Sequence, residues 1–292
     1  CRRGAIRRLE ARLRRMRIAV FIAGPYRYVD LVVQRLDSVL DGLSVSYFFH
    51  LWRSENSTGE KDRGTKLGNL RQLTKNPRTK ALTVIDPYTE AFYAARIGRH
   101  TGSNSPIHAT MGMFLSQMTL LNVLSSLPDS ATYQWILRVR TDCLLTTGAL
   151  RTLIVEGRKR NLFALNPHTA NSWVSDHTCF CRKRVYERVW RFKSANNLYL
   201  WYRICGRNPE RLLTYRIMLK VPFALIAVSI RRYVDYHIIY SSAKSTDPDW
   251  IKSLGPQANI PKLFAEVDRL FDQRSAMRSE ERRVGKECAT GC

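Results

Sequence analysis

Ile18–Ala23, with the sequence IAVFIA, is an uninterrupted apolar run that ends at Gly24. A short run of this kind before a glycine is typical of a strand buried on both faces of a sheet. Leu31–Leu43 follows with apolar residues at helical spacing, and Val45–Leu51 is a second apolar run. A strand, a helix and a strand in this order predict a parallel pair.

Strand and helix patterns alternate along most of the remaining chain. Apolar runs predict further strands at Ala81–Ile85, Trp135–Val139, Asn161–Asn166 and Val221–Ile230. Helical spacing of apolar residues predicts helices at Ala109–Leu127, Gly148–Val155, Arg182–Lys193 and Pro209–Leu219. The alternation predicts an α/β fold with a mostly parallel, Rossmann-like sheet and helices on both faces. The polar residues 53–80 predict a mobile loop.

The length and composition fit one globular domain with extensions. Of the 292 residues, 45% are hydrophobic and 25% are charged, and we expect residues 17–277 to form a single domain. Residues 1–16 are rich in arginine and have apolar residues at helical spacing, which predicts a basic amphipathic helix. Residues 278–292 lack a core pattern and resemble translated adapter sequence, so we expect a non-native tail. The longest apolar run is too short to span a bilayer.

The net charge of +24 predicts anionic partners, which include nucleic acid, an anionic membrane face and phosphate-bearing substrates. The sequence contains no helix-turn-helix, zinc-finger or RNP-type pattern, which argues against specific nucleic-acid recognition. The seven cysteines include no C-x-x-C pair. Their odd number and spacing favour reduced cysteines over a disulfide framework or a zinc module.

The first two predicted strands end in residues that suit ligand binding. Gly24 follows the first strand directly, and Arg27 comes three residues later. Ligands of open parallel sheets bind beyond the carboxyl ends of the strands, where glycine admits a phosphate and arginine pairs with it. His50 and Trp52 end the second strand and face the same side by strand alternation. They are candidates to bind a base or a sugar, and core packing of Trp52 is the alternative.

Three charged residues end the strand at Trp135–Val139, and strand alternation places Arg138, Arg140 and Asp142 on one side. Charged residues leaving an apolar strand are unusual unless they serve a site or a paired network. The arginines suit phosphate oxygens, and Asp142 suits a divalent cation, Mg²⁺ or Mn²⁺, that bridges a diphosphate. An internal Arg–Asp salt bridge is the alternative, and the sequence leaves both open.

Two acidic residues in the second half of the chain are further candidates. Asp176, beside His177, precedes an apolar run and suits a general base that acts on an acceptor hydroxyl. An Asp–His surface pair is the alternative. Glu210 opens the last predicted helix, where its charge suits the helix dipole.

Taken in order, six segments resemble the WavE-type lipopolysaccharide-synthesis and capsule glycosyltransferases, which are GT-A-like. Within residues 17–220 these segments are IAVFIAGPYR (18–27), SYFFHLW (46–52), MFLSQM (113–118), ILRVRTD (136–142), WVSDHTCFC (173–181) and NPERLL (208–213). The resemblance implies that Gly24 and Arg27 lie near the nucleotide sugar. It implies that Arg140 and Asp142 stand at the acidic metal-binding motif and that Asp176 lies near the reacting centre. Only one acid stands at that motif, where many GT-A enzymes have two.

These observations predict a glycosyltransferase that moves a sugar from a nucleotide-sugar donor to a lipopolysaccharide, capsule polysaccharide or lipid-linked acceptor. A divalent cation is the expected cofactor. We expect a cytoplasmic location, with peripheral contact to the inner face of the plasma membrane through residues 1–17 as an option. The alternative is a catalytically inactive relative that acts as a basic peripheral-membrane or nucleic-acid-binding protein.

Overall fold

A computed structural model describes most of the predicted domain: residues 16–26, 29–53, 70–86, 88–98, 106–146, 148, 150, 154, 163–165, 176–222, 226–228, 236–238 and 269. The helices are α1 (Val29–Val39), α2 (Leu70–Lys75), α3 (Glu90–Ile97), α4 (Ile107–Ser126), α5 (Lys183–Trp190), α6 (Ala195–Ile204) and α7 (Pro209–Lys220). The strands are β1 (Arg17–Pro25), β2 (Ser44–Trp52), β3 (Thr79–Ile85), β4 (Trp135–Arg140), β5 (Cys143–Leu145), β6 (Phe163–Leu165), β7 (Thr178–Arg182), β8 (Ile226–Val228) and β9 (Tyr236–Ile238). The predicted leader helix spans residues 1–16, of which residues 1–15 lie outside the described residues. The predicted tail 278–292 also lies outside them.

Seven strands form the central sheet in the order β3-β2-β1-β4-β7-β6-β8, and β5 pairs with β9 in a separate small sheet. In the central sheet, β7 is antiparallel to both of its neighbours, and the other described pairs are parallel. This arrangement confirms the predicted α/β, mostly parallel fold class. The strand order reverses at β1, with β2 on one side and β4 on the other. Such a reversal opens a crevice at the carboxyl ends of the strands, where open α/β sheets bind ligands.

Helices cover both faces of the sheet, as predicted, and each face has its own apolar core. Along β1, Ile18, Val20 and Ile22 pack on the face covered by α1 and α2. The alternate residues, such as Phe21, pack on the face covered by the helices α3 to α7. A strand buried on both sides must be apolar at successive positions, which is why this segment of the sequence reads as a continuous apolar run.

Among the described residues, the predicted strands and helices agree with the structure in type, and three short helices, α2, α3 and α6, were not predicted. The predicted loop at residues 53–80 is wrong at its end, because α2 forms there and buries Leu73. The helices α3 and α6 begin at the capping residues Thr89 and Ser194, whose side chains accept backbone hydrogen bonds. The strand predicted at Val221–Ile230 is present only as β8, at Ile226–Val228. Most of the predicted helix at Gly148–Val155 lies outside the described residues.

Gly112 permits a close approach between α4 and the sheet. A Cβ atom at this position would lie 2.7 Å from the ring of Trp52, whose Nε1 is held by the Ser116 hydroxyl at 3.0 Å. We expect Gly112→Ala to lower the free energy of unfolding. Overpacking costs about 1–3 kcal/mol, which outweighs a gain of roughly 1 kcal/mol in helix propensity. Urea denaturation measures the change.

The control for this prediction is Trp52→Phe, which removes the ring atoms nearest to Gly112. The added methyl group should cost less in the Trp52→Phe background than in the native chain, because the two sites are in contact. An equal cost in both backgrounds would show that the close approach is not the cause.

Candidate active site

The ends of β1 and β4 meet at the crevice where the strand order reverses. Ala23 is in register with His50 on one side and with Arg140 on the other. Gly24 follows with φ = +138°, a backbone conformation that side chains disfavour. A Cβ atom on Gly24 would also lie 3.3 Å from the Thr141 hydroxyl. Glycine is therefore favoured here by its backbone conformation and by the close Thr141 side chain, and the residue is buried at the end of β1.

Arg140 and Asp142 form a two-pronged ion pair at the end of β4. The Arg140 Nε and Nη2 atoms donate to the two carboxylate oxygens of Asp142, each at 2.9 Å. The Asp142 side chain is 1% exposed and the Arg140 side chain 27% exposed. The salt bridge that the sequence left open is thus present, and it binds both oxygens of the acid that was predicted to hold a cation.

Asp176 joins this pair because β7 runs antiparallel to β4. The Arg140 backbone N–H donates to the carbonyl of His177 at 3.2 Å, which fixes the segment before β7 beside the end of β4. One Asp176 carboxylate oxygen lies 3.9 Å from Arg138 Nη2 and 3.9 Å from Arg140 Nη1. The fold therefore brings together the four predicted residues Arg138, Arg140, Asp142 and Asp176, which we call the Arg–Asp cluster.

Asp176 is ionised at neutral pH. Burial would raise the pKa of its carboxyl group, but the charges of Arg140, His177 and Arg138 outweigh burial and hold that pKa below its usual value. The Asp142 carboxylate opposes this effect. The side chain is 13% exposed, so the carboxylate lies at the edge of the cluster rather than in bulk water. An ionised carboxylate can accept a proton or a hydrogen bond from a bound hydroxyl group.

Arg138 is a buried cation whose hydrogen-bonding capacity is underused. The residue is 2% exposed, and its guanidinium lies 4.7 Å from the centre of the Trp190 ring. Its Nε has no hydrogen-bond partner in the described part of the chain, and its ion pair with Asp176 is long. An unsatisfied buried donor is costly, so a buried guanidinium in this state is suited to take an anionic ligand.

His50 and Trp52 lie on the α4 side of the sheet, and Ser116 links them. The His50 Nδ1 lies 2.8 Å from the Ser116 hydroxyl, which also accepts the Trp52 N–H. The Ser116 oxygen has one proton and two lone pairs, so it accepts the Trp52 N–H and can either donate to His50 Nδ1 or accept from it. Both rings are buried, so Trp52 packs in the core, which was the alternative to ligand binding. Ligand binding by His50 stays a prediction.

We expect His50 to make stability fall in acid. Burial lowers the pKa of His50 from 6.5 to about 4. As the pH falls through this window, the unfolded chain binds a proton that the folded chain does not, so the folded state is progressively destabilised. The loss from His50 is about 3 kcal/mol and is complete below the folded-state pKa.

Urea denaturation of the native chain and of His50→Gln across this pH range tests the prediction. The glutamine keeps a hydrogen bond to Ser116 within reach but cannot titrate. The native chain should lose about 3 kcal/mol more than the variant as the pH falls. Equal losses in the two proteins would assign the acid sensitivity to other groups.

The His, Cys, Asp and Glu side chains of the described residues do not form a divalent-cation site. No group of three or more His, Cys, Asp or Glu side chains suited to a metal occurs among the described residues. Asp142, the predicted ligand, holds Arg140 with both oxygens. A guanidinium thus supplies positive charge at the position where the sequence predicted a cation.

Arg27 and Glu210 are the two candidate residues that the contacts described above do not include. Arg27 lies outside the described residues, so its role stays a prediction. Glu210 lies in the first turn of α7, as predicted, and interacts electrostatically with Tyr202. Its position agrees with a contribution to the helix dipole.

Three residues that shape the site were not predicted as site residues. Thr141 packs on Gly24, Ser116 links the rings of β2, and Trp190 lies under Arg138. The only local signal was the polar pair Ser116–Gln117 within the apolar helix α4, and both side chains are buried. The four cysteines among the described residues are buried and unbridged.

Comparison with protein-family models and with curated protein sequences gave no match. Among solved structures, similar chains include the inositol-1-phosphate CTP transferase from T. maritima, with TM-score 0.40, 10% identity and coverage of 82% of this chain and 94% of that one. They also include the galactosyltransferase LgtC in complex with donor and acceptor sugar analogs, with TM-score 0.36, 10% identity and coverage of 86% and 95%. A third is 4-diphosphocytidyl-2C-methyl-D-erythritol synthase from Anaerococcus prevotii DSM 20548, with TM-score 0.33, 8% identity and coverage of 66% and 85%. We assign no activity from these similarities.

Proposed function

We propose that the chain is a glycosyltransferase that moves a sugar from a nucleotide-sugar donor to a hydroxyl group of a saccharide acceptor. The observation that carries this proposal is the position of the Arg–Asp cluster. Two guanidinium groups and the Asp176 carboxylate meet at the end of β4, where Arg140 is in register with Ala23 and the order of strands reverses. The crevice at such a reversal is the place where open α/β sheets bind nucleotides.

The diphosphate of the donor binds at Gly24 and the two arginines in this proposal. Gly24 has no side chain to keep a phosphate from the end of β1, and Arg138 contributes its Nε donor, which the described contacts do not use. When the bond between the anomeric carbon and the diphosphate breaks, its electron pair leaves with the diphosphate. The arginine charges stabilise the developing negative charge, in surroundings where water is largely excluded.

Asp176 acts on the acceptor in this proposal. The acceptor hydroxyl oxygen forms the new bond to the anomeric carbon, and its proton passes to the Asp176 carboxylate. In the free protein the arginines keep this carboxylate a weak base. If the arginines move toward the donor phosphates, Asp176 loses part of their charge and becomes a stronger base. Donor binding would thereby prepare the base for the acceptor.

The finer parts of the proposal concern the acceptor and the place of action. A lipopolysaccharide or capsule polysaccharide acceptor follows from the ordered resemblance of the six sequence segments. Such an acceptor is consistent with a cytoplasmic protein that contacts the inner face of the plasma membrane. The cation at Asp142 remains a prediction, and no step above depends on it.

A transfer assay tests the function directly. The purified full chain is incubated with each of a panel of labelled nucleotide sugars and with saccharide acceptors, and release of nucleoside diphosphate is followed. One donor should be consumed, and its label should appear in the acceptor. A folded chain that binds a donor without turning it over on an intact acceptor would instead fit the catalytically inactive relative.

A further inference from the structure

The helices α6 and α7 present apolar side chains to solvent. Six large hydrophobic residues are exposed in the described part of the chain, and five of them lie on these two consecutive helices: Leu200, Ile204, Tyr215, Met218 and Leu219. Ile204 is 66% exposed and Met218 is 63% exposed. Scattered exposed apolar residues are ordinary, but a concentration on neighbouring elements marks an interaction surface.

These exposed residues are not needed for the packing of the two helices. The inner faces of α6 and α7 are already apolar and buried through Leu198, Tyr202, Leu212, Leu213 and Ile217. A surface helix usually has a polar outer face opposite its buried stripe. Here the outer faces of both helices carry apolar residues in addition, so folding alone does not explain them.

The same surface is basic. The charged residues exposed on α6 and α7 are Arg203, Arg211 and Lys220, all of them basic. Arg203 on α6 and Lys220 on α7 are exposed beside the apolar positions, whereas Glu187 and Glu210 are only partly exposed. Apolar and basic residues together, with few acids, are the combination that binds the boundary of an anionic bilayer.

We infer that the outer faces of α6 and α7 form a docking surface for an anionic membrane. The apolar side chains enter the boundary between headgroups and acyl chains, and the basic side chains meet the anionic headgroups. The contact lies in the plane of the membrane, and no helix among the described residues is long and apolar enough to cross one. This surface is made of residues other than 1–17, and the inference does not depend on the proposed transferase activity.

Vesicle co-sedimentation of the full chain tests the inference. Vesicles of phosphatidylcholine are compared with vesicles of phosphatidylcholine and phosphatidylglycerol. We expect binding to the anionic vesicles and loss of that binding in the triple variant Ile204→Ser, Met218→Ser, Leu219→Ser. The charge-reversal pair Arg203→Glu, Lys220→Glu should weaken binding by about thirtyfold or more, since each basic residue near an anionic surface contributes to affinity.

The pair Arg71→Glu, Lys75→Glu is the matched control, because both residues are exposed on α2, which covers the opposite face of the sheet. It changes the net charge by the same amount and should bind nearly as the native chain does. Circular dichroism checks that each variant is folded. Native binding by the serine variant, equal weakening by the two charge-reversal pairs, or no binding by the native chain would each overturn the inference.

Discussion

Replacing Asp176 with asparagine is expected to lower the turnover of the proposed transfer by about a hundredfold to ten-thousandfold. Asparagine has nearly the same shape but cannot take a proton from the acceptor hydroxyl. The substitution also removes the negative charge that lies 3.9 Å from both Arg138 and Arg140. Steady-state kinetics with the donor found in the transfer assay measures the effect. The loss should appear in kcat, and donor affinity should be kept or improved.

Asp86→Asn is the control for this prediction. Asp86 follows β3 at the same edge of the sheet, is 65% exposed and pairs with Arg53 at 3.5 Å. Its replacement makes the same chemical change outside the Arg–Asp cluster and should leave turnover nearly unchanged. Full activity of a folded Asp176→Asn protein would exclude Asp176 as the base.

The Arg140–Asp142 pair is expected to produce the largest stability effect. Arg140→Gln leaves the Asp142 carboxylate, which is 1% exposed, without its two-pronged partner. Breaking a buried ion pair by removing one member costs about 3–5 kcal/mol, because the remaining charge stays buried. Urea denaturation at neutral pH should show this loss as a lower midpoint with an unchanged slope.

A variant that removes both members of the pair identifies the cause of that loss. The variant Arg140→Gln, Asp142→Asn removes both charges and should be more stable than Arg140→Gln alone. Arg78→Gln is the comparison, since its partner Asp37, at 3.0 Å, is 35% exposed and keeps hydrogen bonds from Tyr47 and Asn76 when the arginine is removed. It should cost only about 0–1 kcal/mol. If Arg140→Gln costs no more than Arg78→Gln, burial does not determine the strength of the pair.

Much of the fold could be predicted from the sequence because the parallel strands are buried on both faces of the sheet. Such strands are continuous apolar runs, and β1, β2 and β4 were predicted at nearly their observed positions. The helices α3 and α6 were missed because their apolar residues do not form a clear stripe, whereas the equally short α5 is strongly amphipathic. The antiparallel direction of β7 was also beyond the local pattern, since strand direction depends on pairing between distant segments.

The residues of the candidate site could be predicted from the sequence, but the contacts between their side chains could not. Arg138, Arg140 and Asp142 could be selected because charged residues leaving an apolar strand are unusual. Asp176 could be selected because it is a carboxylate that precedes an apolar run. The sequence could not decide between a cation and an arginine as the partner of Asp142, because both suit a carboxylate. Nor could it place Trp190 beneath Arg138, because that contact joins residues from different elements.

Calorimetric titration of the full chain with nucleoside diphosphates is the most direct test of the Arg–Asp cluster as a diphosphate site. Titrations in EDTA and again with Mn²⁺ also test the cation prediction at Asp142. We predict that one nucleoside diphosphate binds, and that Arg138→Gln weakens its binding by about tenfold or more, because a charge-assisted hydrogen bond is lost. The absence of binding by every nucleoside diphosphate, or equal affinity in the native chain and in a folded Arg138→Gln variant, would contradict the account.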